Sequence, residues 1–352
     1  MSRELLFETE SGRFVLRDYT LPPLAPDYVQ VRLTLAAPKH GTESHLWSGD
    51  VNRGRRWDPE RRLFLDPEPH VPDARPVVFA VGNMAVGVVD DVGADVRVLR
   101  PGDRVYGYMP VREVHQAPAA ALRPLPDDLA PEAAVCIDPA HVALVAVRDG
   151  SVRLGDWVAV FGLGAIGLLT VQAARASGAL RVVAIDPVEA RRLRALRMGA
   201  DAAIDPTDGD ASLAIKNLTE RRGVDVAIET SGTDRALHEA IRCIMQCGTV
   251  VGVGWGRGTG AGLYLGEEFH VNRPTIVASQ ASSHWGNPDR DYPLWDEQRA
   301  QQACADLFRS GALTADGVLD PIVDLDRAPA ALNVGQQDQF SQVLKIGIRM
   351  DA

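Results

Sequence analysis

Val158-Ala159-Val160-Phe161-Gly162-Leu163-Gly164-Ala165-Ile166-Gly167 decides the fold. Four apolar residues read as a buried strand. A Gly-x-Gly-x-x-Gly turn follows, and the apolar run from Ile166 to Ser177 has helical character. A glycine triplet alone is common, whereas strand, triplet and helix in this order form the dinucleotide-binding fingerprint. Gly162 permits the tight turn, Gly164 admits a pyrophosphate to the backbone, and Gly167 lets helix and strand approach closely. The amides of Ala165 and Ile166 open the helix, where unpaired N–H groups and the positive dipole end attract phosphate.

The pattern continues on both sides. Apolar strands are expected at Arg181 to Ile185, Ala202 to Ile204, Val224 to Ile228, Thr249 to Val253 and Thr275 to Ala278. Helices are expected at Glu189 to Met198, Leu213 to Arg221 and Arg235 to Ile244. Such alternation implies a parallel sheet covered on both faces. Asp186 closes the second strand, 24 residues after Gly162. A carboxylate there accepts hydrogen bonds from the adenosine ribose and repels a 2′-phosphate, which favours NAD; Arg191 leaves room for NADP.

Before residue 130 the chain reads as β-rich, with strands at Val29 to Leu35, Val77 to Val81, Ala85 to Val92 and Arg104 to Tyr108. Residues 50–76 lack a period and read as a long surface loop. Pro131 to Arg148 reads as one helix. The tail offers a helix from Asp296 to Ser310 and a strand from Gln342 to Ile348. The expected organisation is α/β: a β-rich domain over 1–140, a doubly wound nucleotide domain over 141–290, and a return to the first domain over 291–352.

Composition narrows the class. The 352 residues are 46% hydrophobic and 24% charged, which is ordinary for a globular chain, and the net charge of −10 disfavours nucleic acid or anionic membrane as a partner. The N-terminus carries acids where a secretion signal needs an apolar run, and no stretch reaches a membrane span, so a cytoplasmic location is expected. Cys136, Cys243, Cys247 and Cys304 form neither a disulfide framework nor a zinc cluster; Cys243 and Cys247 are expected one turn apart on a helix.

On these motifs the chain resembles the medium-chain dehydrogenase/reductase superfamily, the group of zinc-type alcohol and polyol dehydrogenases. The matching segments are Gly41-Thr42-Glu43, Arg100-Pro101-Gly102-Asp103-Arg104-Val105, Leu125-Pro126-Asp127-Asp128-Leu129, the glycine fingerprint and Glu229-Thr230-Ser231-Gly232. Glu268 to Ile276, with Ser279-Gln280 and Trp47-Ser48-Gly49, is similar to a branch that includes the bacteriochlorophyllide hydroxyethyl dehydrogenases. The resemblance implies a GroES-like catalytic domain, a Rossmann domain, NAD as cofactor, and a homodimer paired through the Thr275–Ala278 edge. It also implies cofactor contacts from Thr230, Ser231, Val253, Gly254, Ser279, Gln280 and Lys345.

The departures bear on mechanism. Where zinc members carry a cysteine before Gly-Thr, His40 stands. Where they carry Gly-His-Glu, the chain reads Gly82-Asn83-Met84, and the third ligand region reads Asp138-Pro139. Asn and Met are poor zinc donors, so zinc is not expected, while His40 and Asp138 with a third group such as His45 or His141 could still hold a metal. The resemblance keeps a proton relay, Thr42 and His45, with His40 and Lys39 as candidates for contact with the substrate oxygen. A histidine suits proton transfer at neutral pH. Met84, Met109 and Trp47, Trp57 and Trp285 are expected around the substrate. The expected function is zinc-independent hydride transfer between NAD and a secondary alcohol or ketone of a polyol, cyclitol or tailoring substrate. Alternatives are an enoyl or quinone reductase of the same fold, or a catalytically silent NAD-binding protein.

Overall fold

The structure is a computed structural model that describes residues 2–39, 41, 43, 55–66, 78–256, 259–281, 287–288, 290–337 and 343–350. The chain divides into two compact units: Met1–Val135 with Leu319–Ala352, and Cys136–Val318.

The first unit is β-rich. Its elements are β1 (Ser2–Glu8), β2 (Arg13–Tyr19), β3 (Tyr28–Ala37), β4 (Arg56–Asp58), β5 (Leu63–Leu65), β6 (Val78–Ala80), β7 (Gly82–Val92), β8 (Arg104–Pro110), β9 (Val114–Pro118), β10 (Arg123–Pro124) and the short helix α1 (Pro131–Ala134). β3 shows the period of two that a half-buried strand requires: Val29, Val31 and Leu33 are buried, while Gln30 and Arg32 alternate with them toward solvent. β7 lies antiparallel between β3 and β8, with Met84 opposite both Ala37 and Tyr108. This register brings the end of β3 beside the start of β7. Phe7, Phe14, Val31, Leu33, Val105 and Met109 belong to one apolar core.

The second unit alternates strands and helices: α2 (Ile137–Asp149), β11 (Trp157–Phe161), α3 (Ala165–Ala176), β12 (Arg181–Ile185), α4 (Glu189–Arg197), β13 (Ala202–Ile204), α5 (Ala211–Leu218), β14 (Val224–Glu229), α6 (Asp234–Cys243), β15 (Ile244–Gly252), α7 (Glu268–Asn272), β16 (Thr275–Ala278) and α8 (Glu297–Arg309). The sheet order is β13-β12-β11-β14-β15-β16, every pairing parallel. Strand order reverses between β11 and β14, where doubly wound sheets bind ligands at their carboxyl ends. Ala159, Phe161, Val183, Ala227 and Val250 form the core between sheet and helices. The chain then re-enters the first unit through β17 (Leu319–Asp324), α9 (Ala328–Gln337) and β18 (Lys345–Arg349), with β18 between β17 and β3. Among the described residues no helix is long and apolar enough to cross a membrane.

Several local expectations change. The re-entry falls at 319 rather than 291, because α8 packs on α2 and buries Cys304, Ala305 and Phe308 within the second unit. The helix expected over 131–148 is two helices. Pro139 has no amide to donate and is tolerated only in a first turn, so α2 starts anew at Ile137. Within 50–76 the hairpin β4–β5 forms, tied by Asp58, which accepts from the amides of Glu60 and Arg61, and by Trp57 against Phe64. Trp57 is therefore a hairpin residue; Trp47 and Trp285 lie outside the described residues. Cys243 and Cys247 do not share a helix: α6 ends at Cys243, and Cys247 sits in β15 with φ of 61°. Met84 and Met109 are buried to within 2% of full coverage and pack in the interior of the first unit.

Candidate dinucleotide cradle and catalytic segment

The fingerprint folds as a cradle at the carboxyl end of β11. Gly162 has φ of 84°, a left-handed conformation that favours glycine, and its amide donates to the Ile185 carbonyl at 2.8 Å. A Cβ on Gly167 would lie 1.8 Å from the Gly162 carbonyl oxygen, so helix α3 and the turn approach to a distance only glycine allows. A Cβ on Gly164 would meet nothing within 4 Å: this glycine borders open space. Gly164 caps α3 without a side-chain acceptor, leaving the first-turn amides, those of Ala165 and Ile166 included, to seek a partner from outside the helix. Glycines are kept on the packed side for closeness and on the open side for access, as a bound diphosphate requires.

Asp186 follows β12 and is 3% exposed. Its Oδ2 accepts from the Leu163 amide at 2.7 Å and its Oδ1 from the Val188 amide at 2.8 Å. The acid thus braces the glycine turn, a role its spacing from Gly162 does not reveal. Each carboxylate oxygen can accept a second hydrogen bond, so a ribose contact remains open to it. An Arg191 guanidinium nitrogen stands 3.7 Å from Oδ2, while Arg192 donates to the Asp186 carbonyl and pairs with Asp205.

The neighbouring loops interlock. The Thr230 hydroxyl donates to the Gly162 carbonyl at 2.7 Å. Glu229, buried at the end of β14, accepts from the amides of Ser231 and Gly232 and from the Ser231 hydroxyl. Burial raises the Glu229 carboxyl above its usual range, and those donors pull it back. Amides of Val253 and Gly254 donate to the Glu229 carbonyl, and a Cβ on Gly254 would lie 2.1 Å from the Gly232 amide. Sequence reasoning named Thr230, Ser231, Val253 and Gly254 but missed that Glu229 organises them. The available signal was an acid ending an otherwise apolar strand. Ser279 is buried, its amide on the Gly252 carbonyl, and the Gln280 side-chain oxygen accepts from Asn287.

In the first unit, Thr42, His45 and His40 lie outside the described residues. Lys39 is half-buried, and its carbonyl accepts from the Glu43 amide at 2.9 Å. Lys345 is 3% exposed and donates to the carbonyls of Ala37 and Pro38, at 3.3 and 3.1 Å. It clamps the end of β3, where the resemblance implies a diphosphate contact. Glu43 was absent from the expected site. Its Oε1 accepts from the Gly82 amide at 2.9 Å, and its Oε2 is buried without a hydrogen-bond partner. Burial pushes the Glu43 carboxyl up to about 7, against the Gly82 amide and the charges of Lys345 and Lys39, which lower it.

The folded value of the Glu43 carboxyl lies above the ordinary 4.5. Between those limits the native state binds more protons than the unfolded one, so stability falls as pH rises from about 4.5 to 7. The burial penalty on this group amounts to roughly 3 kcal/mol above that window. Glu43→Gln keeps an acceptor for Gly82 and removes the charge. It should melt higher than the wild-type protein at pH 8 and gain little at pH 5. An equal change in melting temperature at both pH values would refute this.

Zinc members of this fold take their ligands near positions occupied here by Asn83 and Asp138. The Asn83 oxygen is buried without a partner, Met84 is core, and Asp138 and His141 are buried in α2 of the second unit. Burial and Asp138 push the Cys304 thiol up to about 12. Among the described residues no three His, Cys, Asp or Glu side chains gather as a metal site. An amide and a thioether do not fit a divalent zinc ion.

Comparison with known proteins agrees with this geometry. Residues 165–295 match the family model described as zinc-binding dehydrogenase. D-guloside 3-dehydrogenase of Escherichia coli is 35% identical over 347 residues, 95% of this chain and 96% of that protein. The fold is shared with 2R,3R-butanediol dehydrogenase of Bacillus subtilis (24% identity, TM-score 0.78, 100% of both chains). It is shared also with a putative zinc-binding dehydrogenase of Sinorhizobium meliloti solved with NADP bound (22% identity, TM-score 0.73, 99% of both chains).

Proposed function

Since the chain belongs to the zinc-type alcohol dehydrogenase-like medium-chain dehydrogenase/reductase superfamily and is an oxidoreductase acting on alcohols, we propose that it is an NAD-dependent, zinc-independent dehydrogenase of a secondary alcohol on a polyol, cyclitol or other polyhydroxylated substrate. The observation that carries the cofactor assignment is Asp186, a carboxylate at the end of β12 fastened to the amide of the glycine turn. A ribose 2′-hydroxyl can donate to that carboxylate, whereas a 2′-phosphate is repelled by it.

When bound, the nicotinamide supplies a hydride acceptor or donor for the carbinol carbon. The cradle of Gly162, Gly164 and Gly167, with the amides of Ala165 and Ile166, holds the diphosphate. Thr230, Ser231, Val253, Gly254, Ser279 and Gln280 border the nicotinamide end. Thr42 and His45 carry the proton released by the alcohol, and His40 and Lys39 share the charge on its oxygen; these four roles rest on the family resemblance. The donor chemistry at Asn83 and Met84 supports a route without zinc. A cytoplasmic homodimer is part of the same proposal. Its support is the edge strand β16, where Thr275, Ile276 and Ala278 are exposed.

The test is NAD reduction over a panel of polyols, sugars and simple secondary alcohols, with and without chelator, alongside sedimentation. A polyol is expected to turn over with NAD in preference to NADP, undiminished by chelator, in a dimer. Loss of all activity on chelation overturns the zinc-free route, and a preference for NADP overturns the reading of Asp186.

A further inference from the structure

Among the described residues of the first unit, Oε2 of Glu43 and Oδ1 of Asn83 are buried oxygen atoms without a hydrogen-bond partner, as is the Tyr19 hydroxyl on β2. The first two lie on neighbouring parts of the structure. The Glu43 carboxyl is fastened through Oε1 to the amide of Gly82, and Asn83 is the next residue of β7. Glu43 immediately follows Thr42, and Asn83 stands at a ligand position of the zinc enzymes.

Leaving a buried acceptor unpaired costs about 1–3 kcal/mol, and folded chains keep few such atoms without a reason. Lys345 donates to the carbonyls of Ala37 and Pro38, and its charge and that of Lys39 also act on the Glu43 carboxyl. The Gly82 amide serves Oε1. An acceptor of this kind calls for a neutral O–H or N–H donor from a ligand. A polyol presents several O–H donors on adjacent carbons, whereas a hydrocarbon alcohol presents only the one that is oxidised.

We infer that Oε2 of Glu43 and Oδ1 of Asn83 accept hydrogen bonds from hydroxyl groups of the substrate other than the one oxidised, and so select polyhydroxylated substrates. The inference rests on the alcohol-oxidising function proposed above. It gives Glu43 two opposed effects. The buried carboxylate destabilises the folded chain at neutral pH, yet it recognises substrate, a conflict expected of binding groups.

The experiment uses the full chain with NAD and the best polyol of the panel, together with monodeoxy analogues that each lack one non-reacting hydroxyl. In the wild-type protein at least one analogue should lose about 10- to 100-fold in kcat/KM, as expected for a buried acceptor left unpaired. Asn83→Leu should lose a similar factor on the parent polyol and less than threefold more on the matching analogue, because the two changes remove one interaction. Glu43→Gln should behave in the same way with its own analogue while melting higher than wild type at pH 8. The inference is overturned if every deoxy analogue stays within threefold of the parent in the wild-type protein. It is also overturned if the losses from variant and analogue multiply. Should Asn83→Leu fail to fold, the wild-type analogue series and Glu43→Gln decide the matter. Oxidation of simple secondary alcohols but of no polyol overturns this inference and leaves alcohol oxidation standing. Nucleotide binding with no alcohol oxidised overturns both.

Discussion

Gly167→Ala is expected to weaken NAD binding by about 100-fold or more and to lower the melting temperature. The added Cβ would sit 1.8 Å from the Gly162 carbonyl oxygen and 3.0 Å from the Thr230 hydroxyl. Neither contact is to the far end of a flexible side chain, so helix α3 must back away from the turn. Overpacking of this kind costs about 1–3 kcal/mol or more, and the displaced turn no longer presents its amides to a diphosphate. The control is Gly164→Val. Its side chain enters open space. The melting temperature should therefore hold while binding falls, because the branched side chain occupies the approach to the helix terminus. Calorimetry and thermal melts on both variants check the pair. Full NAD affinity in Gly164→Val would place the nucleotide elsewhere.

Asp186→Ala is expected to combine a loss of fold stability with a loss of cofactor discrimination. The carboxylate serves the buried amides of Leu163 and Val188. Removing it leaves both unpaired, at about 1–3 kcal/mol each. The ribose acceptor disappears with it, so affinity for NADH should fall about 100-fold. NADPH should be affected far less, since the repulsion of its phosphate is also relieved. Asp186→Asn retains one oxygen for one amide and should lie between. An unchanged ratio of NADH to NADPH affinity in Asp186→Ala would mean that this acid braces the turn and does nothing more.

The nucleotide unit was legible because its signals are local. β12, β13 and β16 have the bounds expected from their apolar runs, and α3 follows its glycine turn within a residue. Each of these strands is short: β12 is buried after its first residue and closed by Asp186, β13 lies between Asp201 and Asp205, and β16 starts after Pro274. What escaped depends on partners distant in sequence. The i, i+4 spacing of Cys243 and Cys247 suits a helix, but Ile244 pairs with Val224 and draws the segment into β15. α8 carries no local mark of the unit it joins; only its packing on α2 shows it.

The site divides in the same way. Gly162, Gly167, Thr230, Ser231 and Gly254 pack against one another beside the glycine turn. Glu229 and Glu43 stand in the sequence only as members of their motifs, and Asn83 only as a poor zinc donor. A carboxylate or amide in an apolar run carries no sign of its unpaired or bridging atoms until the strands beside it are in register. Lys345 is similar: its place in the last strand is plain in sequence, but the carbonyls of Ala37 and Pro38 are reached only through pairing of β18 with β3.

The most direct test of the central claim, a dinucleotide seated on the Gly162–Gly167 turn with its adenosine sugar on Asp186, is calorimetric titration of the full chain with NADH and then NADPH. Saturable binding of one NADH per chain, at least about tenfold tighter than NADPH, is the predicted result. Absence of heat and of thermal stabilisation with both nucleotides would contradict it.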